Sequence, residues 1–160
     1  MGKFNDKISA EYNPPRKWIL ERELSYLNKD IDVDALEEVG VECLDHKITC
    51  KKGFITDLAS TPKILWNIIA PWDIARAAII HDLLYLRIRQ YRKKIDEAFM
   101  NPENPEIISK AKEAADNIFL MAMKDASPSV SKWKMYAAYY AVVLCGRWSI
   151  IPREDDNGQM

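Results

Sequence analysis

Two hydropathy patterns divide the chain. From Tyr12 to Ile55 apolar and polar positions alternate in short runs. In "KWILERELSYL", Trp18, Leu20, Leu24 and Tyr26 are spaced to share one face of a strand, and "HKITCKKGFI" offers a second short strand pair around Gly53. The acidic stretch between them, "NKDIDVDALEEVGVECLD", fits a short helix or a loop equally well. After "TDLASTP" the period becomes that of a helix. Ser60 or Thr61 can cap a helix with Pro62 at its first position, where a missing N–H costs nothing, and that helix runs through "KILWNIIA" to Pro71. Asp73 can cap "IARAAIIHDLLYLRIRQYRKK", whose first half is apolar almost all round, as a helix in the middle of a core must be.

Two further helices follow. One spans roughly Pro105 to Lys124, with Ile107, Ile108, Ala111, Ala115, Ile118 and Phe119 at helical spacing. The other spans Ser129 to Arg147, capped by Ser129 or Ser131 and closing at Gly146. "NPENPE" is a turn-rich connector, and "REDDNGQM" a polar tail. The pattern predicts an α+β fold, mainly helical, in which a small N-terminal antiparallel sheet packs on about four helices. One domain covers residues 1–152, strand-rich over 12–56 and helical over 60–148, with a flexible tail at 153–160.

Composition narrows the function classes. With 160 residues, 48% of them hydrophobic, the chain can build one sizeable core. Lys and Arg total 23 against 24 Asp and Glu, so no global basic field draws it to nucleic acid. Cys43, Cys50 and Cys145 are odd in number and show no CxxC spacing, which argues against a disulfide framework or a zinc site and for small buried hydrophobes in a reducing compartment. "MGKFNDKISAEYNPP" lacks the apolar run of a signal peptide. "MYAAYYAVVLCGRWSII" holds 11 uninterrupted apolar residues, Met135 to Cys145, where a bilayer needs about 20; it reads as a core helix, and no transmembrane segment is expected. Trp66, Trp72 and Trp148 are either core residues or interface anchors.

The chemistry centres on "AAIIHDLLYL", Ala77 to Leu86, where two ionisable residues interrupt an apolar helix. His81 and Tyr85, at i and i+4, share a face, while Asp82 points about 100° away. A buried carboxylate without a partner costs several kcal/mol, so Asp82 needs a cation, a metal or several N–H donors. Arg76 and Arg89 are local candidates, in which case the pair is purely structural. The loop "GFITDLASTP" supplies Thr56, Asp57, Ser60 and Thr61, more polar side chains than one cap requires. Ser60 suits a cap better than a nucleophile, since no GxSxG elbow surrounds it. A zinc enzyme of the HD type is excluded because His46 is the only other histidine.

"GFITDLASTPKILW", "AAIIHDLLY", "ADNIFLMAM" and "MYAAYYAVVLCGRW" together resemble a bacteriophage-borne domain of unknown function, number 1353, over Leu20 to Trp148. That family shows a GFxTDLASxP loop, an HDxLY helix, an ADxxF helix and a closing YxAVxxxG segment. Position by position, the resemblance implies a polar set of Thr56, Asp57, Ser60, His81, Asp82, Tyr85 and Asp116, with Asp96 as the rival for the last place. The HDxxY helix is also similar to that of phospholipase A2 enzymes. That likeness implies His81 as general base, Asp116 as its orienting carboxylate, and Asp82 with Asp57 as ligands of a divalent cation such as calcium, supported by Tyr85, Ser60 and Thr56. The glycine-rich calcium loop of those enzymes is absent.

Two readings follow. In one, a phage protein hydrolyses an ester or amide of the host envelope. In the other, a non-catalytic virion or tail accessory protein uses the same residues as a fold clamp, with other virion proteins as partners. Either places the protein in a phage virion or the host cytoplasm. A site requires His81 and Asp82 to line a solvent-reachable cleft; a clamp lets them be sealed.

Overall fold

A computed structural model of the chain describes residues 1–15, 17–58, 74–98, 106–127, 129–154 and 156. The helix expected from Pro62 to Ala70, and Ser60 with it, lie outside these residues. Among those described, seven short strands precede three long helices: β1 (Lys3–Phe4), β2 (Ala10–Asn13), β3 (Lys17–Leu20), β4 (Leu24–Leu27), β5 (Cys43–Leu44), β6 (Lys47–Cys50) and β7 (Ile55–Thr56). A five-residue helix α1 (Asp34–Glu38) lies between β4 and β5; then come α2 (Ala75–Ala98), α3 (Ile107–Lys124) and α4 (Lys132–Ser149). The fold is α+β.

The strands make two antiparallel sheets rather than one, ordered β1-β4-β6-β5 and β2-β3-β7. "KWILERELSYL" is not a single strand, because the charged run Glu21-Arg22-Glu23 forms a corner that sends β3 into one sheet and β4 into the other. Burial along it survives the corner: Leu20, Leu24 and Tyr26 are buried, with Trp18 packed part-buried against the same core. The turn at Gly53 is real, with φ +87°, a value only glycine adopts without strain. Its flanking strands do not pair with each other, however. β6 pairs with β4 and β5, while β7 pairs with β3, and the Gly53 N–H donates to the Leu20 carbonyl at 2.8 Å. In the acidic insert, α1 buries Ala35 and Leu36 and is followed by Gly40 in the left-handed region.

The long helices hold the centre. In α2, Ile79, Ile80, Leu84 and Ile88 are fully buried, and the first half is covered on all sides as its composition requires. Helix α3 packs against α2 and buries Ile107, Ala111, Ala115, Ile118 and Phe119 in the shared core. Helix α4 does not close at Gly146. It continues through Ser149, with Gly146 buried inside it, because α3 and α2 approach so closely there that a Cβ would lie 2.1 Å from the Tyr85 hydroxyl. Ser131 occupies the α4 N-cap position in extended conformation but makes no side-chain cap bond. The tail is not wholly loose: Asp156 is buried and accepts from Arg89 Nε at 2.8 Å, and its backbone carbonyl accepts from Gln90 at 2.7 Å. Cys50 is buried and Cys43 and Cys145 part-buried, all three free. No described helix is long and apolar enough to cross a membrane.

Candidate functional site

Helix α2 carries His81 and Asp82 into different surroundings. His81 faces α3 and is fully enclosed, with 0% of its surface exposed. Its ring packs on Tyr85 and Phe119, at centroid separations of 4.1 and 4.8 Å. Its Nε2 lies 2.9 Å from Asp116 Oδ1, to which the Tyr85 hydroxyl also donates at 2.7 Å. Lys112, one turn before Asp116 on α3, donates to Oδ2 at 2.6 Å. Of the two acidic candidates, Asp116 therefore partners the histidine, and Asp96 is exposed at the far end of α2.

The protonation states follow from these contacts. Burial alone would push the Asp116 carboxyl up, but the hydrogen bonds from His81, Lys112 and Tyr85 outweigh burial and hold it below its ordinary value. Burial drives His81 the other way, below its ordinary 6.5, against the pull of Asp116. The imidazole is therefore neutral at neutral pH, and Lys112 is the cation that keeps Asp116 ionised. An ionised carboxylate only accepts, so Nε2 carries the ring proton. Nδ1 is left as a bare acceptor, buried and without a hydrogen-bond partner. Tyr85 is pushed strongly upward by burial and by Asp116, and stays protonated.

Asp82 faces the sheet side instead. It is half-buried and accepts a short hydrogen bond from the hydroxyl of Thr56 in β7. Thr56 Oγ1 in turn accepts from the Leu58 N–H at 3.0 Å, fixing a turn in which Leu58 takes φ +53°. Exposed Asp57 lies between them in sequence, and its charge reaches Asp82. Burial and that neighbouring charge push the Asp82 carboxyl up to about 7, with Thr56, Arg89 and Arg153 pulling the other way. Arg89 thus acts on Asp82 while making its ion pair with Asp156. Arg76 goes elsewhere, over the Phe4 ring and to the Ser127 carbonyl.

The sequence-derived site residues accordingly fall into two groups. His81, Tyr85 and Asp116 form an inner cluster, and Asp82, Thr56 and Asp57 an outer one. Ser60 lies outside the described residues. Among the described residues no group of three His, Cys, Asp or Glu side chains is placed to hold a metal ion. Asp57 and Asp82 together fall well short of the six to eight oxygens calcium takes, so calcium does not fit the donors described. Lys112 escaped the sequence reading although its i, i+4 spacing to Asp116 was visible. Asp156 carried no signal at all, and Gly146 was read as a helix end. A separate polar knot, also unforeseen, joins Asp125 at the end of α3 to the Tyr26 hydroxyl at 2.6 Å and the Gly2 N–H at 2.8 Å.

An α+β domain whose central helix meets its neighbour through a buried histidine–aspartate–lysine cluster is the class the fold defines. The chain belongs to the family described as "Protein of unknown function (DUF1353)", which matches residues 34–142 and so takes in both clusters. No curated protein and no solved structure matches the chain.

Proposed function

We propose that this is a non-catalytic phage virion or tail accessory protein in which the His81–Asp116–Lys112 cluster is a fold clamp. The observation that carries the reading is the complete enclosure of His81: a general base must reach a water or a substrate proton, and an imidazole with 0% exposure reaches neither. What surrounds it is aromatic packing and a carboxylate already shared by three donors. Such a network ties α2 to α3 at one register, since sliding either helix by a turn would leave an ionised Asp116 unpaired in the core.

A hydrolase reading is favoured by one specific observation. The bare Nδ1 lone pair, with Asp116 orienting the opposite edge of the ring, is the tautomer a histidine general base requires. The phage origin rests on the family resemblance, and the envelope substrate on the likeness of the HDxxY helix to that of phospholipase A2 enzymes.

His81→Asn separates the two. In the clamp reading it lowers stability in urea denaturation by about 1–3 kcal/mol, because Asp116 keeps a poorer partner in a buried network, and the wild type releases no fatty acid from phosphatidylcholine vesicles and no fragments from peptidoglycan. Wild-type hydrolysis that drops about a hundredfold in a His81→Asn protein of unchanged stability overturns the clamp in favour of the enzyme.

A further inference from the structure

Helix α4 is apolar on two opposite faces. Met135, Ala138, Val142 and Gly146 form the face packed against the domain, all of them buried. On the other side Trp133 (58% exposed), Tyr136, Tyr140, Val143, Leu144 (69%) and Trp148 lie in water, continued by Ile151 just past the helix end. These positions recur at spacings of three and four, so they form one continuous stripe. An amphipathic surface helix would place charges there. Here the charges along the stripe are Lys132, in its first turn, and Arg147, whose guanidinium sits 4.3 Å over the Trp148 ring.

We propose that this stripe is the contact face of a two-fold homodimer, in which α4 packs antiparallel against α4 of a second copy. Area is the first argument. At their fractional exposures the seven residues leave on the order of 600 Å² of mostly apolar surface in water, at 150–250 Å² per full aromatic. That is at or above the upper end of the patch a typical monomer carries and approaches one partner's share of a standard interface, about 800 Å². The composition is that of an interface centre, rich in Tyr and Trp with Arg at its edge and acidic residues absent.

Charge chooses the second copy and its direction. A parallel pair would set Lys132 on Lys132 and Arg147 on Arg147. In the antiparallel pair, with the axis level with Val142, Lys132 comes to the end where the other copy carries exposed Glu154 beside exposed Arg153, and Arg147 comes to the tyrosine end. The same register sets Leu144 against Tyr140, Trp148 against Tyr136 and Ile151 against Trp133, large against large along the whole seam. A two-fold contact needs this self-complementarity, because each residue must meet its opposite number's partner.

Sedimentation velocity of the full chain tests it. The wild type is expected at twice its 18.5 kDa at tens of micromolar, and Tyr140→Glu with Leu144→Glu is expected as a monomer with an unchanged circular dichroism spectrum, a loss of more than about a hundredfold in dimer affinity. Lys132→Glu should weaken the dimer about two- to fivefold and Glu154→Lys in the same chain restore it, as only the antiparallel arrangement allows. A wild type monomeric at about 100 µM overturns the proposal, as does a dimer that survives Tyr140→Glu with Leu144→Glu. If the monomeric wild type instead pellets with vesicles of phosphatidylcholine and phosphatidylglycerol, the face belongs to a membrane surface and the homodimer is wrong.

Discussion

The inner and outer clusters take adjacent residues of one helix, His81 and Asp82, yet their carboxyl groups, Asp116 and Asp82, behave oppositely. Asp116 is more deeply enclosed than Asp82, at 3% exposure, and titrates below its ordinary value, whereas half-buried Asp82 rises to about 7. Depth of burial does not decide the sign; the company does. Asp116 has three donors in contact, one of them the Lys112 cation, while Asp82 accepts from the Thr56 hydroxyl and has the Asp57 carboxylate as a charged neighbour. The same contrast gives the two carboxyl groups opposite pH dependences.

The comparison is broken most severely at Asp116. Replacement by Ala strands the Lys112 ammonium, the Tyr85 hydroxyl and the His81 N–H together, and is expected to cost about 3–5 kcal/mol in urea denaturation, the range for removing one partner of a buried ion pair. A cost under about 1 kcal/mol would mean that the inner cluster is not a clamp. Lowering pH should mimic part of the loss. His81 titrates below its unfolded value of 6.5, so the unfolded chain binds the extra proton first and stability declines as pH falls below that value. Asp116, also depressed, adds its own loss once pH falls through its folded value.

A smaller effect is expected at Gly146, where the inner cluster meets α4. An added methyl there lies 2.1 Å from the Tyr85 hydroxyl oxygen and 3.1 Å from its Cζ. Gly146→Ala should therefore cost about 1–3 kcal/mol by overpacking. In a Tyr85→Phe background, which removes the oxygen, the same change should cost measurably less, and strictly additive costs would show that the tyrosine is not what the glycine accommodates.

The outer cluster should respond least and with the opposite sign. Because the Asp82 carboxyl is raised from 3.8 to about 7, the folded state keeps a proton that the unfolded chain gives up across that window, and stability declines as pH rises through it. Asp82→Asn removes the penalty while leaving Thr56 an acceptor. It should match the wild type near pH 4 and exceed its stability near pH 8 by on the order of 1–2 kcal/mol, discounted for its partial exposure. Asp57→Asn, which removes the neighbouring charge, should lower the Asp82 midpoint seen by carbon-13 NMR and change stability by a few tenths of a kcal/mol. A midpoint that stays near 7 would assign the shift to burial alone.

Local regularities made most of the helical half legible. Helices α2 and α3 begin and end within a few residues of where periodicity places them, and the HD pair stands out because two ionisable residues in an apolar run have few physical excuses. The i, i+4 relation of His81 and Tyr85 put both on the face where Asp116 meets them. The strand-rich half was less legible. Alternation says which way a side chain points but not which strand its backbone will bond, so the split of residues 17–27 between two sheets left no trace beyond three charged residues at the corner.

By itself, then, the sequence determined an α+β chain with a buried central helix, the identity of its ionisable residues, and the family to which it belongs. Tertiary structure alone decided that His81 is sealed while Asp82 is not, that Asp156 returns from the tail to Arg89, that Gly146 makes room for a hydroxyl rather than ending a helix, and which of two apolar faces of α4 is left in water. The physical reason is common to all four. Periodicity is a property of one helix or strand, whereas solvent access, pKa and close approach depend on which other element lies across from it, and the distances that settle them are set between residues 35 to 67 positions apart.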